Sequence, residues 1–111
     1  MRLVIAESVR DNDIVLMRKI GYSPHENFQG KVGFVRRTGN LPFPRFHIYL
    51  EPKNPVGLFL SIHFDAKRES YLPGRTHALE VEGEVLNNEA RRIYSILKME
   101  YSNVGLVKTS I

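Results

Sequence analysis

The sequence predicts an α+β fold, in which a curled antiparallel sheet of about four strands carries two helices packed on one face. Apolar and polar residues alternate in four segments, which is the pattern of half-buried strands. Two other segments repeat their apolar residues at the spacing of an amphipathic helix. The 111 residues suffice for one domain with a modest core, and we assign residues 1–111 to a single domain.

The first third of the chain predicts one helix and one clear strand. Residues 1–10 fit either a short strand or an irregular start. A helix is expected to begin at a cap formed by Asp11 or Asn12 and to end at Gly21, because Asp and Asn satisfy the first backbone amides and glycine tolerates the turn that ends a helix. The elements that follow are a loop over residues 22–30 and a strand over residues 31–37.

Two histidine-bearing segments form the centre of the predicted sheet. They are Arg45-Phe-His-Ile-Tyr49 and Ser61-Ile-His-Phe-Asp65, and a proline-containing turn over residues 51–57 joins them as a hairpin. Since side chains alternate between the two faces of a strand, burying the apolar residues puts the polar ones together on the other face. That polar face comprises Arg45, His47, Tyr49, Ser61, His63 and Asp65. The register that pairs position 47 with 63 also places Arg45 opposite Asp65.

The last third of the chain predicts a further strand and a second helix. Residues 77–85 alternate as a strand that begins at His77. One side of this strand carries three carboxylates that we expect to face solvent, Glu80, Glu82 and Glu84. A helix is expected to begin at Asn87 or Asn88 and to reach about Met99. Residues 101–111 fit either a strand or a loose tail.

Charge and composition narrow the classes of partner and compartment. The net charge of +4 and the pI near 9.6 favour anionic partners such as nucleic acid. The absence of cysteine excludes disulfides and thiolate metal sites, so a zinc site would need histidine and carboxylate ligands. No apolar stretch approaches the roughly 20 residues that span a bilayer, and the opening run is too short for a signal peptide. We therefore expect a cytoplasmic protein without membrane contact. The sequence does not decide between a monomer and a homo-oligomer.

The paired histidines support three interpretations. His47 and His63 could divide general-base and general-acid roles in phosphodiester cleavage, with an arginine stabilising the phosphate charge. They could equally hold a divalent metal such as zinc together with Asp65, and with His77 if its strand lies alongside. The third interpretation is structural, with both histidines hydrogen-bonded to neighbours on the sheet and Asp65 steadying Arg45.

A basic stretch with interleaved aromatic residues adjoins the first histidine. Arg36, Arg37 and Arg45 lie in this stretch. Arginines and aromatic rings on an open sheet face suit phosphate contact and base stacking. Alternation along the strands places Phe34 and Phe46 on the core side, so Tyr49 and Phe59 are the candidates for stacking on bases. The alternative is a solvated basic face without a ligand.

Five short motifs resemble a group of short prokaryotic proteins with an FVRR…PRFH…HxD…H…E..RI pattern. The motifs are Phe34-Val-Arg-Arg37, Pro44-Arg-Phe-His-Ile-Tyr-Leu50, Ile62-His-Phe-Asp65, Thr76-His77 and Glu89-Ala-Arg-Arg-Ile93. The resemblance covers about residues 20–98 and implies that His47, His63, Asp65 and His77 belong to one signature. It implies no activity. The chain departs from the pattern at Leu79 and Ala66, where the group often has a second histidine and a glutamine, and this weakens a metal site that needs a full ligand set.

The sequence thus leads to one main hypothesis and two alternatives. The main hypothesis is a small basic domain that binds a phosphate-bearing partner through its polar sheet face. Nucleic acid is the leading candidate for this partner, and no cofactor is expected. Its binding residues would be Arg37, Arg45, Tyr49, Ser61 and Asp65, with His47 and His63 as contacts or as an acid/base pair. The alternatives are a module or enzyme that uses a divalent metal, and a structural or protein-interaction domain. Whether the protein is an enzyme stays open.

Overall fold

The computed structural model describes residues 1–26, 32–65 and 75–107. Within these ranges the chain forms β1 (Arg2–Ile5), α1 (Asp13–Lys19), β2 (Ser23–Glu26), β3 (Val32–Arg37), β4 (Arg45–Pro52), β5 (Leu58–Asp65), α2 (Arg75–Leu97) and β6 (Val104–Val107). The strands make one antiparallel sheet in the order β2-β3-β4-β5-β1-β6. The predicted α+β class is confirmed.

The core lies on one face of this sheet, under both helices. Alternate residues of the strands are buried there, as the pleat requires. The strands contribute Leu3, Ile5, Phe34, Phe46, Ile48, Leu60 and Ile62. The helices contribute Leu16 and Met17 from α1 and Ala90, Ile93 and Leu97 from α2. One continuous apolar cluster therefore holds the two helices on a single face and leaves the other face uncovered by them.

The first helix matches the prediction at both ends. Asn12 is its N-cap, and the Asn12 Oδ1 accepts a hydrogen bond of 2.9 Å from the amide of Val15. Gly21 follows the helix with a φ of 90°, a conformation that glycine adopts without strain. The capping chemistry of the sequence is enough to specify this element.

The predicted strand over residues 77–85 is wrong, because α2 runs without interruption from Arg75 to Leu97. The segment has one alanine, one leucine and three glutamates, which are better helix formers than strand formers, beside two valines and a glycine, which are not. A few alternating residues of this type fit a helix as well as a strand. The predicted start of the second helix at Asn87 or Asn88 is wrong for the same reason.

The sheet also has more strands than the sequence predicts. β2 lies within the predicted loop over residues 22–30, and its Pro24 is tolerated because β2 is an edge strand that pairs only with β3. The two ambiguous ends of the chain become β1 and β6, which pair with each other. These three strands have four residues each, too few to show an alternating pattern. No helix in the described ranges is long and apolar enough to cross a membrane.

A buried carboxylate ties α2 to the rest of the fold. Glu89 is only 4% exposed, and Arg92 donates to its two oxygens over 2.8 and 2.9 Å. The hydroxyl of Tyr22 donates to Glu89 Oε2 over 2.6 Å, and Arg36 Nη1 donates to Oε1 over 3.2 Å. Arg92 also donates to the carbonyl of Ile20 over 2.6 Å. We call these five residues the Glu89 cluster; it joins the end of α1, β3 and α2.

Candidate functional site

The side of the sheet away from the helices carries the residues that the sequence singles out. We call this side the open sheet face. The register pairs Arg45 with Asp65, His47 with His63 and Tyr49 with Ser61, as the sequence predicts. β3 and β1 flank this hairpin, and they bring Arg37 opposite Arg45 and Arg2 opposite Ser61. All the predicted binding residues, together with both histidines, therefore lie on one surface.

A short polar contact on this surface joins a histidine to an aspartate. His47 Nδ1 lies 2.6 Å from Asp65 Oδ2, whereas Arg45 Nε lies 3.6 Å from the same oxygen. His47 and Asp65 are diagonal neighbours across the β4–β5 pair, a distance that long side chains bridge. The aspartate thus orients His47 more directly than it steadies Arg45.

Three rings form a compact cluster beside this contact. The rings of His47 and His63 stack with a centroid distance of 4.9 Å and an angle of 23° between their planes. Tyr49 meets His47 edge-on at 5.0 Å and His63 at 6.2 Å. A Cβ at Gly33 would lie 2.9 Å from the Tyr49 ring, so the missing side chain of Gly33 makes room for the ring to lie over β3.

The surroundings of His63 and Asp65 lower the pKa values of both groups. Burial lowers the pKa of His63, and the charge of protonated His47 lowers it further, against a weaker opposite effect of Asp65. Burial acts to raise the pKa of Asp65, but its hydrogen bond to His47 and the charges of His47 and Arg45 outweigh this, so the pKa lies below its usual value. Asp65 is therefore an anion at neutral pH and accepts the proton of His47 Nδ1.

Two arginine side chains on this face stack on aromatic rings. The guanidinium carbon of Arg2 lies 4.0 Å from the centre of the Phe59 ring, and that of Arg45 lies 4.4 Å from the centre of the Phe43 ring. The Nε atoms of both arginines are buried without a hydrogen-bond partner in the structure. The sequence analysis missed Arg2, because β1 is too short to show an alternating pattern. The signal that could have found it is a charged residue, Arg2, at the start of an apolar run.

A small cleft opens between β2, β3 and the histidine hairpin. Its volume is about 70 Å³, which is enough for a few water molecules. The residues around it are His25, Gly33, Phe34, Val35, Arg45, His47, Tyr49 and Asp65. The structure thus brings His25, to which the sequence analysis gave no role, to the edge of the same surface.

Metal ligation by this face lacks a complete ligand set in the part of the chain that the structure describes. No group of three or more histidine, aspartate or glutamate side chains in those ranges is arranged to hold an ion. His47 already uses Nδ1 for Asp65. His77 belongs to α2, but its side chain, like those of Glu80 and Glu82, lies outside what the structure describes, and Glu84 is exposed on α2. The metal interpretation stays a prediction.

The geometry can therefore bind an anion beside stacked rings and can exchange protons through two adjacent imidazoles. The resemblance to the FVRR…PRFH group likewise stays a prediction. No protein-family model, curated protein or solved structure matches this chain.

Proposed function

We propose that the protein binds single-stranded nucleic acid across its open sheet face. One observation carries this proposal: arginines and aromatic or imidazole rings lie side by side on a surface that neither helix covers. Single-stranded nucleic acid offers the two groups that such a surface recognises, a chain of phosphates and a row of flat bases.

The phosphate contacts come from the arginines at the two sides of the ring cluster. Arg37 is exposed beside Arg45 on one side, and Arg2 lies on the other. Asp65 and Glu51, which pairs with Phe59, are the acidic residues on the described part of this face, so the three arginines exceed the carboxylates by one positive charge. Stacking on Phe43 and Phe59 restricts the guanidinium groups of Arg45 and Arg2, which reduces the entropy lost when a phosphate binds.

The base contacts come from the rings at the centre of the face. Tyr49, Phe59 and the two histidines present half-buried or exposed rings there. Stacking of a base on an aromatic side chain contributes about 1–3 kcal/mol and tolerates any base, so we expect weak sequence preference. Ser61 lies between these rings and offers a hydroxyl for hydrogen bonding to the ligand.

Replacing Arg37 or Arg45 by Ala is expected to weaken binding of a fluorescently labelled single-stranded RNA about fivefold at about 0.1 M salt. Each lost phosphate contact makes the plot of log K against log salt concentration less steep by roughly 0.7. Since 0.1 M is tenfold below 1 M, this change in slope corresponds to about a fivefold loss of affinity at 0.1 M. Fluorescence anisotropy across a salt series measures both quantities.

The matched control is Arg18→Ala, which removes the same charge from the exposed surface of α1 in the helical layer. This variant should keep both the affinity and the salt slope within about twofold, since Arg18 is remote from the proposed surface. If the wild-type protein binds no tested RNA or DNA at low salt, or if Arg18→Ala weakens binding as much as Arg37→Ala, the proposal is wrong.

A further inference from the structure

We propose that His63 and His47 act as base and acid in a metal-independent cleavage of RNA bound on the open sheet face. This inference rests on the proposed nucleic-acid binding and adds a substrate class, because the reaction needs the ribose 2′-hydroxyl that DNA lacks. It starts from the stacked histidine pair and the aspartate bonded to one of its members.

His47 has the surroundings of a general acid. The Asp65 carboxylate accepts the proton of Nδ1 over 2.6 Å, which fixes the orientation and the tautomer of the ring. The second nitrogen, Nε2, is then the one that can give a proton to a ligand. Asp65 does not touch the substrate in this arrangement and is a positioning residue.

His63 has the surroundings of a general base. Its side chain reaches solvent, but partial shielding from water, the neighbouring charge of His47 and the amino group of Met1 keep its pKa below the usual value. The groups that face it are His47 and Tyr49 on β4, Asp65 on its own strand, and Arg2 and the amino group of Met1 at the β1 side. The two imidazoles differ in their surroundings, since His47 is hydrogen-bonded to a carboxylate and His63 is not, and such a difference can assign the acid and base roles.

The spacing of the two rings suits a single phosphodiester. In this reaction the attacking and leaving oxygens lie on opposite sides of one phosphorus, so acid and base must reach two atoms of the same group. The parallel rings, 4.9 Å apart between centroids, can each turn one nitrogen toward such a group. Arg45 and Arg2 lie beside the pair and can stabilise the charge that develops on the phosphate oxygens.

The proton and bond balance closes without a metal or a redox partner. His63 accepts the proton of the 2′-hydroxyl while that oxygen bonds to the adjacent phosphorus. The bond from phosphorus to the 5′ oxygen breaks, and His47 gives its Nε2 proton to the leaving oxygen. The products are a 2′,3′-cyclic phosphate and a 5′-hydroxyl, and exchange of protons with water restores both histidines.

The test is incubation of the full chain with an end-labelled oligoribonucleotide in excess EDTA, with the products identified by mass spectrometry. We expect cyclic-phosphate ends, and a bell-shaped dependence of the rate on pH. His63→Gln and His47→Gln should each lower the cleavage rate at least 100-fold when the protein is in saturating excess over RNA, so that the weaker binding expected from a lost stacking ring does not contribute. The same oligonucleotide with 2′-O-methyl riboses should bind and stay intact. Circular dichroism melting checks that each variant is folded.

Asp65→Asn distinguishes a positioning role from a merely structural one. Without the carboxylate the His47 Nδ1 proton loses its acceptor and the ring loses its fixed orientation, so the rate constant for cleavage of bound RNA should fall while the affinity changes little, and Asp65→Glu should restore part of the rate. Arg18→Ala, prepared in the same way, should cleave RNA like the wild-type protein. A contaminating nuclease would be present in every preparation, so loss of cleavage in the histidine variants alone excludes it.

The outcomes separate the two proposals. Binding of RNA without cleavage would overturn the catalytic inference and leave the proposed function standing, whereas absence of binding would overturn both. Cleavage that stops in EDTA, that yields 5′-phosphate ends, or that persists in both histidine variants would also overturn the catalytic inference.

Discussion

Replacing Glu89 by Gln is expected to lower the free energy of unfolding at pH 7 by about 2–3 kcal/mol. Glu89 is buried and accepts hydrogen bonds from Arg92, Arg36 and Tyr22. A glutamine keeps the size of the side chain but removes its charge and turns one acceptor oxygen into a donor that faces other donors. Both arginines are about one-third exposed, so they recover part of the loss by turning toward water.

The effect of Glu89→Gln should depend on pH in a defined direction. Burial acts to raise the pKa of Glu89, but the hydrogen bonds from Arg92 and Tyr22 outweigh it and hold the pKa below the usual 4.5. Stabilisation by the folded-state carboxylate is therefore complete above about pH 4.5 and is lost as the pH falls through the lower folded-state pKa. The difference between the two proteins should shrink as the pH is lowered from 7 toward 3.

Urea denaturation at a series of pH values measures this difference. The matched control is Glu84→Gln, the same substitution on the exposed surface of the same helix, which should change the free energy of unfolding by less than about 0.5 kcal/mol. Equal effects of the two substitutions, or a difference that stays constant with pH, would mean that the Glu89 cluster does not stabilise the fold as we infer.

Gly57→Ala is expected to destabilise the protein by about 3 kcal/mol, because two independent costs act at the turn between β4 and β5. Gly57 has a φ of 118°, a region that residues with a side chain rarely adopt. A Cβ at this position would also lie 2.1 Å from the backbone oxygen of Ile5 in β1. Since that oxygen belongs to a strand in the middle of the sheet, it cannot move aside without disturbing strand pairing.

Thermal and urea unfolding of Gly57→Ala would be compared with Gly39→Ala. No atom lies within 4 Å of a Cβ built at Gly39, so the control should be neutral or slightly more stable than the wild type. A Gly57→Ala protein as stable as the control would show that the turn and β1 can rearrange. Because the turn joins the two histidine strands, a shift of the hairpin register should also reduce RNA binding.

The polar face of the histidine hairpin was predictable because it follows from local alternation. Only one parity of β4 and β5 buries Phe46, Ile48, Ile62 and Phe64 together, and the sheet uses that parity. The cap at Asn12 was predictable for a similar reason, since one side chain satisfies a backbone amide three residues away. Neither prediction needed knowledge of a distant partner.

The errors lie where a local pattern was short or fitted two structures. The strands β1, β2 and β6 have four residues each and are held by pairing with neighbours, which the sequence does not display. The beginning of α2 alternates like a strand but also contains one alanine, one leucine and three glutamates, so the pattern over residues 77–85 fitted a helix as well as the predicted strand. The prediction that residues 22–30 form a loop is wrong for residues 23–26, which form the edge strand β2 that tolerates Pro24, whereas residues 27–30 lie outside the described residues.

Sequence alone was sufficient for the α+β class and for the shared face of Arg45, His47, Tyr49, Ser61, His63 and Asp65, because alternation along a strand decides which side a residue faces. The tertiary structure decided which neighbours those residues contact. It brought Asp65 to His47 in preference to Arg45, placed Arg2 on Phe59 beside the same surface, and buried Glu89 among groups from β3, from α2 itself and from the segment after α1. These contacts join residues that are far apart in the chain or diagonal across two strands, so they depend on register and packing, which no local pattern encodes.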